Sequence, residues 1–195
     1  IRRQRQMCIR ARHQAAGAAS DPALSHHVMR RRQDAASLGL CAFMADHRDV
    51  YIVSAVRTPI GCFQGALKSQ TAVDLGVAAA KAAIERANIQ PTDIQEALIG
   101  CVLQAQLGQS PARQVALRAG CPPSTDATTV NKVCASGMKC VALGAQSIRL
   151  GENEVILAGG MESMSRAPYY LQRGLMFGDA SLSDAVPVSY THLRA

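Results

Sequence analysis

The sequence predicts an α/β fold built on a largely parallel sheet. Three observations point there: short apolar strands alternate with longer helical patterns, the strands are continuously apolar, and each helix carries its own start or stop signal. Residues 50–53 (Val50, Tyr51, Ile52, Val53) read as the first buried strand. Thr71 and Asp74 then stand at the spacing of a capping box. Beyond them Ala72, Leu75, Gly76, Ala79, Ala80, Ala83, Ile84 and Ala87 recur at helical intervals. Lys81, Glu85 and Arg86 occupy the other side, so the segment is an amphipathic surface helix. Pro91 and Asp93 break the chain before a second apolar strand over 97–103. Ser110 and Pro111 predict an N-cap and first helical residue, and Gly120 closes that helix.

A short strand over 127–130 leads into a helix over 134–150. Apart from Lys139, Gln146 and Arg149 this helix is apolar or small on every side, the pattern of a helix buried between layers. Gly151 ends it and the strand 155–158 follows. Cys134 therefore falls where a strand ends and a helix begins. A thiol there meets unpaired N–H groups and the positive end of the helix dipole, which favour the thiolate. Such placement can lower a cysteine pKa from about 8.5 toward neutrality. A small buried residue is the usual fate of a free cysteine, so position alone leaves two roles open, packing and nucleophile.

Composition narrows the function classes. Hydrophobic residues make up 48% of the 195, and no apolar run is long enough to span a bilayer, which argues against a membrane protein. Seven cysteines at irregular spacing, with no C-x-x-C, fit free thiols in a reducing compartment and neither a disulfide framework nor a zinc site. The net charge of +7 is concentrated at one end, because residues 1–48 hold nine basic and three acidic residues. The rest holds twelve basic against eleven acidic residues, so nucleic-acid binding has little support.

Residues 1–48 read as a disordered basic tail, either transit-like or non-native. Residues 3–10 resemble a translated cDNA-cloning adapter, as do residues 187–195. Met44 is then a candidate start, with Met29 as the alternative.

The run Asn131-Lys132-Val133-Cys134-Ala135-Ser136-Gly137-Met138-Lys139 resembles the nucleophile motif of the thiolases, of the short-chain acetoacetyl-CoA type. Three further segments resemble other markers in family order. They are Val53-Ser54-Ala55-Val56-Arg57-Thr58-Pro59-Ile60-Gly61, Gly108-Gln109-Ser110-Pro111-Ala112-Arg113-Gln114 and Ala158-Gly159-Gly160-Met161-Glu162-Ser163-Met164-Ser165. The resemblance implies the N-terminal half of a five-layer αβαβα fold with a buried nucleophile helix. On that reading 49–165 is the core domain, 166–185 opens a truncated loop region and 186–195 is the adapter-derived tail.

It implies an acyltransferase that condenses two acetyl-CoA to acetoacetyl-CoA and runs the reverse thiolysis. Cys134 would be the acyl-thioester nucleophile, its own N–H helping to hold the oxyanion. Coenzyme A thioesters would be the substrates, with no metal and no covalently bound cofactor. The family's other catalytic groups are a histidine in Gly-His-Pro and a second cysteine near the C-terminus. None of the five histidines here stands in such a segment, so this chain alone is expected to be inactive. A longer-chain 3-ketoacyl-CoA thiolase of β-oxidation and a non-catalytic truncated product are the alternatives. The complete protein is expected to be a homo-oligomer, dimer or tetramer, in the cytoplasm or the mitochondrial matrix. Met161, and less directly Met138 and Met164, are candidates for the substrate pocket, and Arg57 and Arg113 for CoA phosphates. Cys140 and Ser136 are read as structural, and Glu162 as an anchor.

Overall fold

The computed structural model describes residues 6–11, 49–171 and 181–186. One sheet of five strands organises them, in the order β2-β1-β5-β3-β4. The strands are β1 (Gln6–Ala11), β2 (Val50–Val56), β3 (Glu96–Gly100), β4 (Asp126–Val130) and β5 (Val155–Gly160). Three helices pack on it: α1 (Ala72–Ala87), α2 (Pro111–Ala119) and α3 (Ser136–Leu150). β3 lies parallel to both β4 and β5. β1 is antiparallel to both of its neighbours, with a bulge at Cys8/Ile9 against β2.

Within the stretch expected to be a disordered tail, Gln6–Ala11 forms an inner strand of the sheet and pairs with β2 from Val50 to Val56 across the bulge. The remainder of 1–48, including Met29 and Met44, lies outside the described residues, as do 172–180 and 187–195.

Side chains alternate across a strand, and that period divides the core into two. Ala97 and Ile99 of β3 and Val155 and Leu157 of β5 face one cluster, shared with Val73, Ala80, Ile84 of α1 and Val115, Ala116 of α2. Leu98, Ile156 and Ala158 face the other, against Cys140 and Ile148 of α3. The described fold is therefore three layers, with α1 and α2 on one side of the sheet and α3 on the other. Ile148, Ile156 and Leu157 are fully buried, each contributing about 1.5–3 kcal/mol of transfer free energy.

Local signals decide the helix ends. Thr71 and Asp74 form the predicted capping box: the Asp74 N–H donates to Thr71 Oγ1 at 3.1 Å and the Thr71 N–H donates to Asp74 Oδ2 at 3.2 Å. Asp74 also takes a 2.6 Å hydrogen bond from Arg118 of α2, which ties the two helices together. The Thr71 hydroxyl, then the Arg118 guanidinium, hold its carboxyl below the usual value. Gly120 and Gly151 close α2 and α3 in the left-handed conformation, at φ 102° and 80°.

Three expectations differ from the structure. Ser110 is left-handed (φ 44°) and its side chain caps nothing; Thr129 Oγ1 of β4 accepts the Ala112 N–H at 3.0 Å instead, a tertiary cap that no local pattern encodes. The strand 50–53 is not buried, since Tyr51, Ile52 and Val53 are all exposed along one edge of the sheet. And α3 is buried on one side only: Cys140, Gly144, Ser147 and Ile148 face the sheet, whereas Met138 is 78% and Leu150 65% exposed.

Candidate active site

Five described cysteines form no disulfide, and burial sorts them sharply. Cys101, Cys121 and Cys140 are buried. Burial pushes the Cys140 thiol up to about 12, and burial with the neighbouring Glu162 charge does the same to Cys101. Burial also raises Cys121. These three stay protonated and act as small apolar residues. Cys134 and Cys62 are exposed, and of the two only Cys134 stands beside a helix N-terminus.

The seat of Cys134 is built from the strand ends upward. α3 starts at Ser136, two residues beyond Cys134, so the cysteine occupies the turn before the helix and not its first position. The turn rests on glycine. A Cβ added at Gly100, the last residue of β3, would stand 2.6 Å from the Ser136 carbonyl carbon and 2.7 Å from the Gly137 nitrogen. Gly137 in turn sits on Gly160, the last residue of β5, where a Cβ would lie 3.2 Å from the Gly137 Cα. Absent side chains at these positions let the first turn of α3 drop onto the C-terminal ends of two adjacent parallel strands. That is the end of an open α/β sheet where ligands generally bind.

Val133, just before the cysteine, has φ 48°. For a β-branched residue this is strained, at a cost of about 1–3 kcal/mol. Surrounding groups hold it there. The Val133 N–H donates to Asn131 Oδ1 at 3.0 Å, and its carbonyl accepts from the Ser136 hydroxyl at 2.6 Å and the Ser136 N–H at 3.2 Å. The same Ser136 Oγ accepts the Lys132 N–H at 2.8 Å, and the Ala135 N–H donates to the Lys132 carbonyl at 3.0 Å.

Glu162 supports this seat from the side. Its carboxylate accepts the N–H groups of Val102 and Leu103, at 2.9 and 3.1 Å, and so anchors the chain as it leaves β3. Met161 carries its own backbone to the same place, its N–H donating to the Gly100 carbonyl at 2.8 Å. The Met161 side chain is 2% exposed and packs in the main core.

A cavity of about 450 Å³ lies beside the segment after β2. Thr58, Ile60, Cys62, Phe63, Met164 and Asp184 are among its lining, and Met164, not Met161, is the methionine it presents. Cys134 is not part of that lining. The walls are tied together by the Gln64 N–H donating to Ser165 Oγ at 2.8 Å and by Ser163 Oγ donating to the Gln70 carbonyl at 2.8 Å. Of the arginines considered for phosphate binding, Arg113 donates to the carbonyls of Thr125 and Pro123 and is structural; Arg57 is exposed. Among the described residues no cluster of His, Cys, Asp and Glu has the form of a metal site.

The pattern described as "Thiolase, N-terminal domain" matches residues 50–192, and the chain belongs to the thiolase family. It is 57% identical over 136 residues to the acetyl-CoA acetyltransferase of Yarrowia lipolytica, covering 70% of this chain and 34% of that protein. It superimposes on the Acat5 thiolase of Ascaris suum, solved in complex with coenzyme A, with a TM-score of 0.68 at 47% identity over 69% of this chain and 36% of that one. Human mitochondrial 3-ketoacyl-CoA thiolase, also solved with CoA, gives 0.64 at 42% identity over 68% and 35%. The chain thus spans about a third of the length of the relatives it matches.

Proposed function

We propose that this chain is the N-terminal part of an acetyl-CoA C-acetyltransferase and that Cys134 is its acyl-accepting nucleophile. The observation that carries the reading is the division among the thiols: three are held protonated by burial, while Cys134 is exposed on a rigid seat at a helix start. In the reaction, the Cys134 thiolate attacks the thioester carbonyl of acetyl-CoA, and the tetrahedral adduct collapses with loss of the CoA thiolate, which takes up a proton. A second acetyl-CoA loses a proton next to its carbonyl. The resulting carbanion attacks the acyl-cysteine, releasing acetoacetyl-CoA and regenerating the thiolate. Covalent catalysis divides one difficult transfer into two easier ones.

Coenzyme A thioesters as substrates are supported by the relatives' names and by the two CoA-bound structures. Identity to a relative named acetyl-CoA acetyltransferase reaches 57%, which supports that reading over the longer-chain 3-ketoacyl-CoA one. The reading needs neither metal nor prosthetic group. It places the proton-transferring partners of Cys134 outside this chain, so the 195 residues by themselves are without turnover. The complete protein would be a homo-oligomer, in keeping with the apolar surface left open by Phe63, Met138 and Leu150.

The test is to express the complete coding sequence and follow CoA-dependent cleavage of acetoacetyl-CoA beside a longer 3-ketoacyl-CoA. Preferred cleavage of the short substrate, abolished by Cys134→Ala, supports the reading. Preferred cleavage of the long substrate, or full activity in Cys134→Ala, overturns it.

A further inference from the structure

In the sequence Ser136 reads as structural and Asn131 carries no role of its own. The structure gives both side chains another task. Ser136 is 5% exposed, too buried to serve as a solvent-facing cap, and its hydroxyl is engaged twice: it accepts from the Lys132 N–H and donates to the Val133 carbonyl. Asn131 Oδ1 accepts the Val133 N–H. One side chain thus grips Val133 by its amide and the other by its carbonyl. Val133 is the residue in this turn whose backbone conformation (φ 48°) a β-branched side chain resists. Val133 is itself 56% exposed, so packing of its side chain does not account for the conformation. The two hydrogen-bonded grips do.

We propose that Asn131 and Ser136 are positioning residues for Cys134: they lock Val133 in the left-handed conformation and so fix the thiol of the next residue at the start of α3. The inference rests on the reading of Cys134 as nucleophile for its functional meaning, but its geometry stands without it. A nucleophile gains rate from being held in place before reaction, and a strained residue kept at a site by over-determined contacts is one way to hold it. Val133 in a relaxed conformation would turn the chain differently and carry Cys134 away from the strand ends beneath it.

The experiment uses the 195-residue chain and needs no turnover. Alkylation by iodoacetamide under native conditions is followed for each cysteine by peptide mass spectrometry. Cys62, exposed and far along the chain, is the internal reference. Cys101, Cys121 and Cys140 report folding, because burial protects them. Ser136→Ala and Asn131→Ala should each lower the Cys134-to-Cys62 rate ratio about tenfold, the scale of one lost hydrogen bond, while the buried thiols stay protected. Ser136→Thr keeps the hydroxyl and should restore the ratio to within about twofold.

The decisive variant is Val133→Gly. Glycine adopts positive φ without strain, so in that background Ser136→Ala should change the ratio less than about twofold, a coupling that a double-mutant cycle reads directly. A general loss of structure would not depend on the residue at 133. Unchanged ratios in both alanine variants, a faster Cys134, or an undiminished Ser136→Ala effect in the glycine background would overturn the proposal. If Ser136→Ala exposes the buried thiols, Asn131→Ala alone decides. A normal clamp in a complete protein that transfers no acyl group would instead sink the functional reading and leave this one standing.

Discussion

Gly100→Ala offers the sharpest test of how the seat of Cys134 is built. The added Cβ would meet three atoms of the next layer: the Ser136 carbonyl carbon at 2.6 Å, the Gly137 nitrogen at 2.7 Å and the Ser136 Cβ at 2.8 Å. Two of these are backbone and cannot rotate away. Ordinary contact begins at 3.4 Å, so the first turn of α3 must rise by 3.4 less 2.6, about 0.8 Å. Gly100 cannot retreat instead, because its carbonyl accepts the Met161 N–H at 2.8 Å and the following Cys101 N–H donates to the Val130 carbonyl at 3.0 Å. Overpacking of this kind costs about 1–3 kcal/mol, and immovable neighbours put it at the upper end. For a chain of this size that lowers the melting temperature by roughly 6–12 °C. A shift of nearly 1 Å at a nucleophile costs up to about 10²-fold in rate.

The assay is thermal and urea unfolding of three variants side by side, with acyl transfer measured in the complete protein. At Gly137 the same Cβ would lie 3.4 Å from the Gly160 nitrogen, an ordinary contact, and alanine favours the helix by up to about 1 kcal/mol. Gly137→Ala should therefore melt at or above the parent, Gly160→Ala, at 3.2 Å, slightly below it, and Gly100→Ala far below both. Equal melting of Gly100→Ala and Gly137→Ala would refute the steric account.

Two further outcomes follow from the same structure. Glu162→Ala leaves the half-buried Val102 and Leu103 N–H groups without their acceptor, at about 1 kcal/mol each, the low end of the range for a fully buried donor. Glu162→Gln, which keeps one acceptor oxygen, should lose about half as much in urea unfolding. The capping carboxylate of Asp74 makes stability depend on acid. Its folded pKa lies below the ordinary 3.8, so its contribution is fully present above that value and is lost as pH falls through the lowered one. An Asp74→Asn variant should show a flatter stability profile below about pH 4 than the parent, and parallel profiles would count against the capping box.

Much of this architecture was legible because its causes are local. The capping box at Thr71 and Asp74, the glycine stops at 120 and 151, and the alternation of apolar strands with helices are properties of neighbouring residues. What was not legible depends on distant ones. Ser110 looks like an N-cap, yet Thr129 does the capping from another strand. An apolar run such as Tyr51-Ile52-Val53 does not say whether a second layer covers it. At the site, Cys134 could be singled out by its motif, but the turn's mechanics could not. The strain at Val133 and the void that Gly100 leaves for Ser136 exist only once β3 lies under α3. The apolar faces of α3 predicted burial on every side, and the structure covers one of them.

β1 bears on the order in which the chain assembles. It draws its pairing partners from β2 and from β5, and the latter ends at Gly160. β1 must therefore wait for β5, the last of this sheet's five strands in chain order, before its second edge is satisfied. Closing a loop of that length is entropically expensive, and folds dominated by such distant pairings form slowly. Until then the paired β1 and β2 present an open, hydrogen-bonding edge, the kind of surface on which partly made chains associate. The strand that joins β2 to the parallel part of the sheet is thus also the point at which its folding is most exposed to failure.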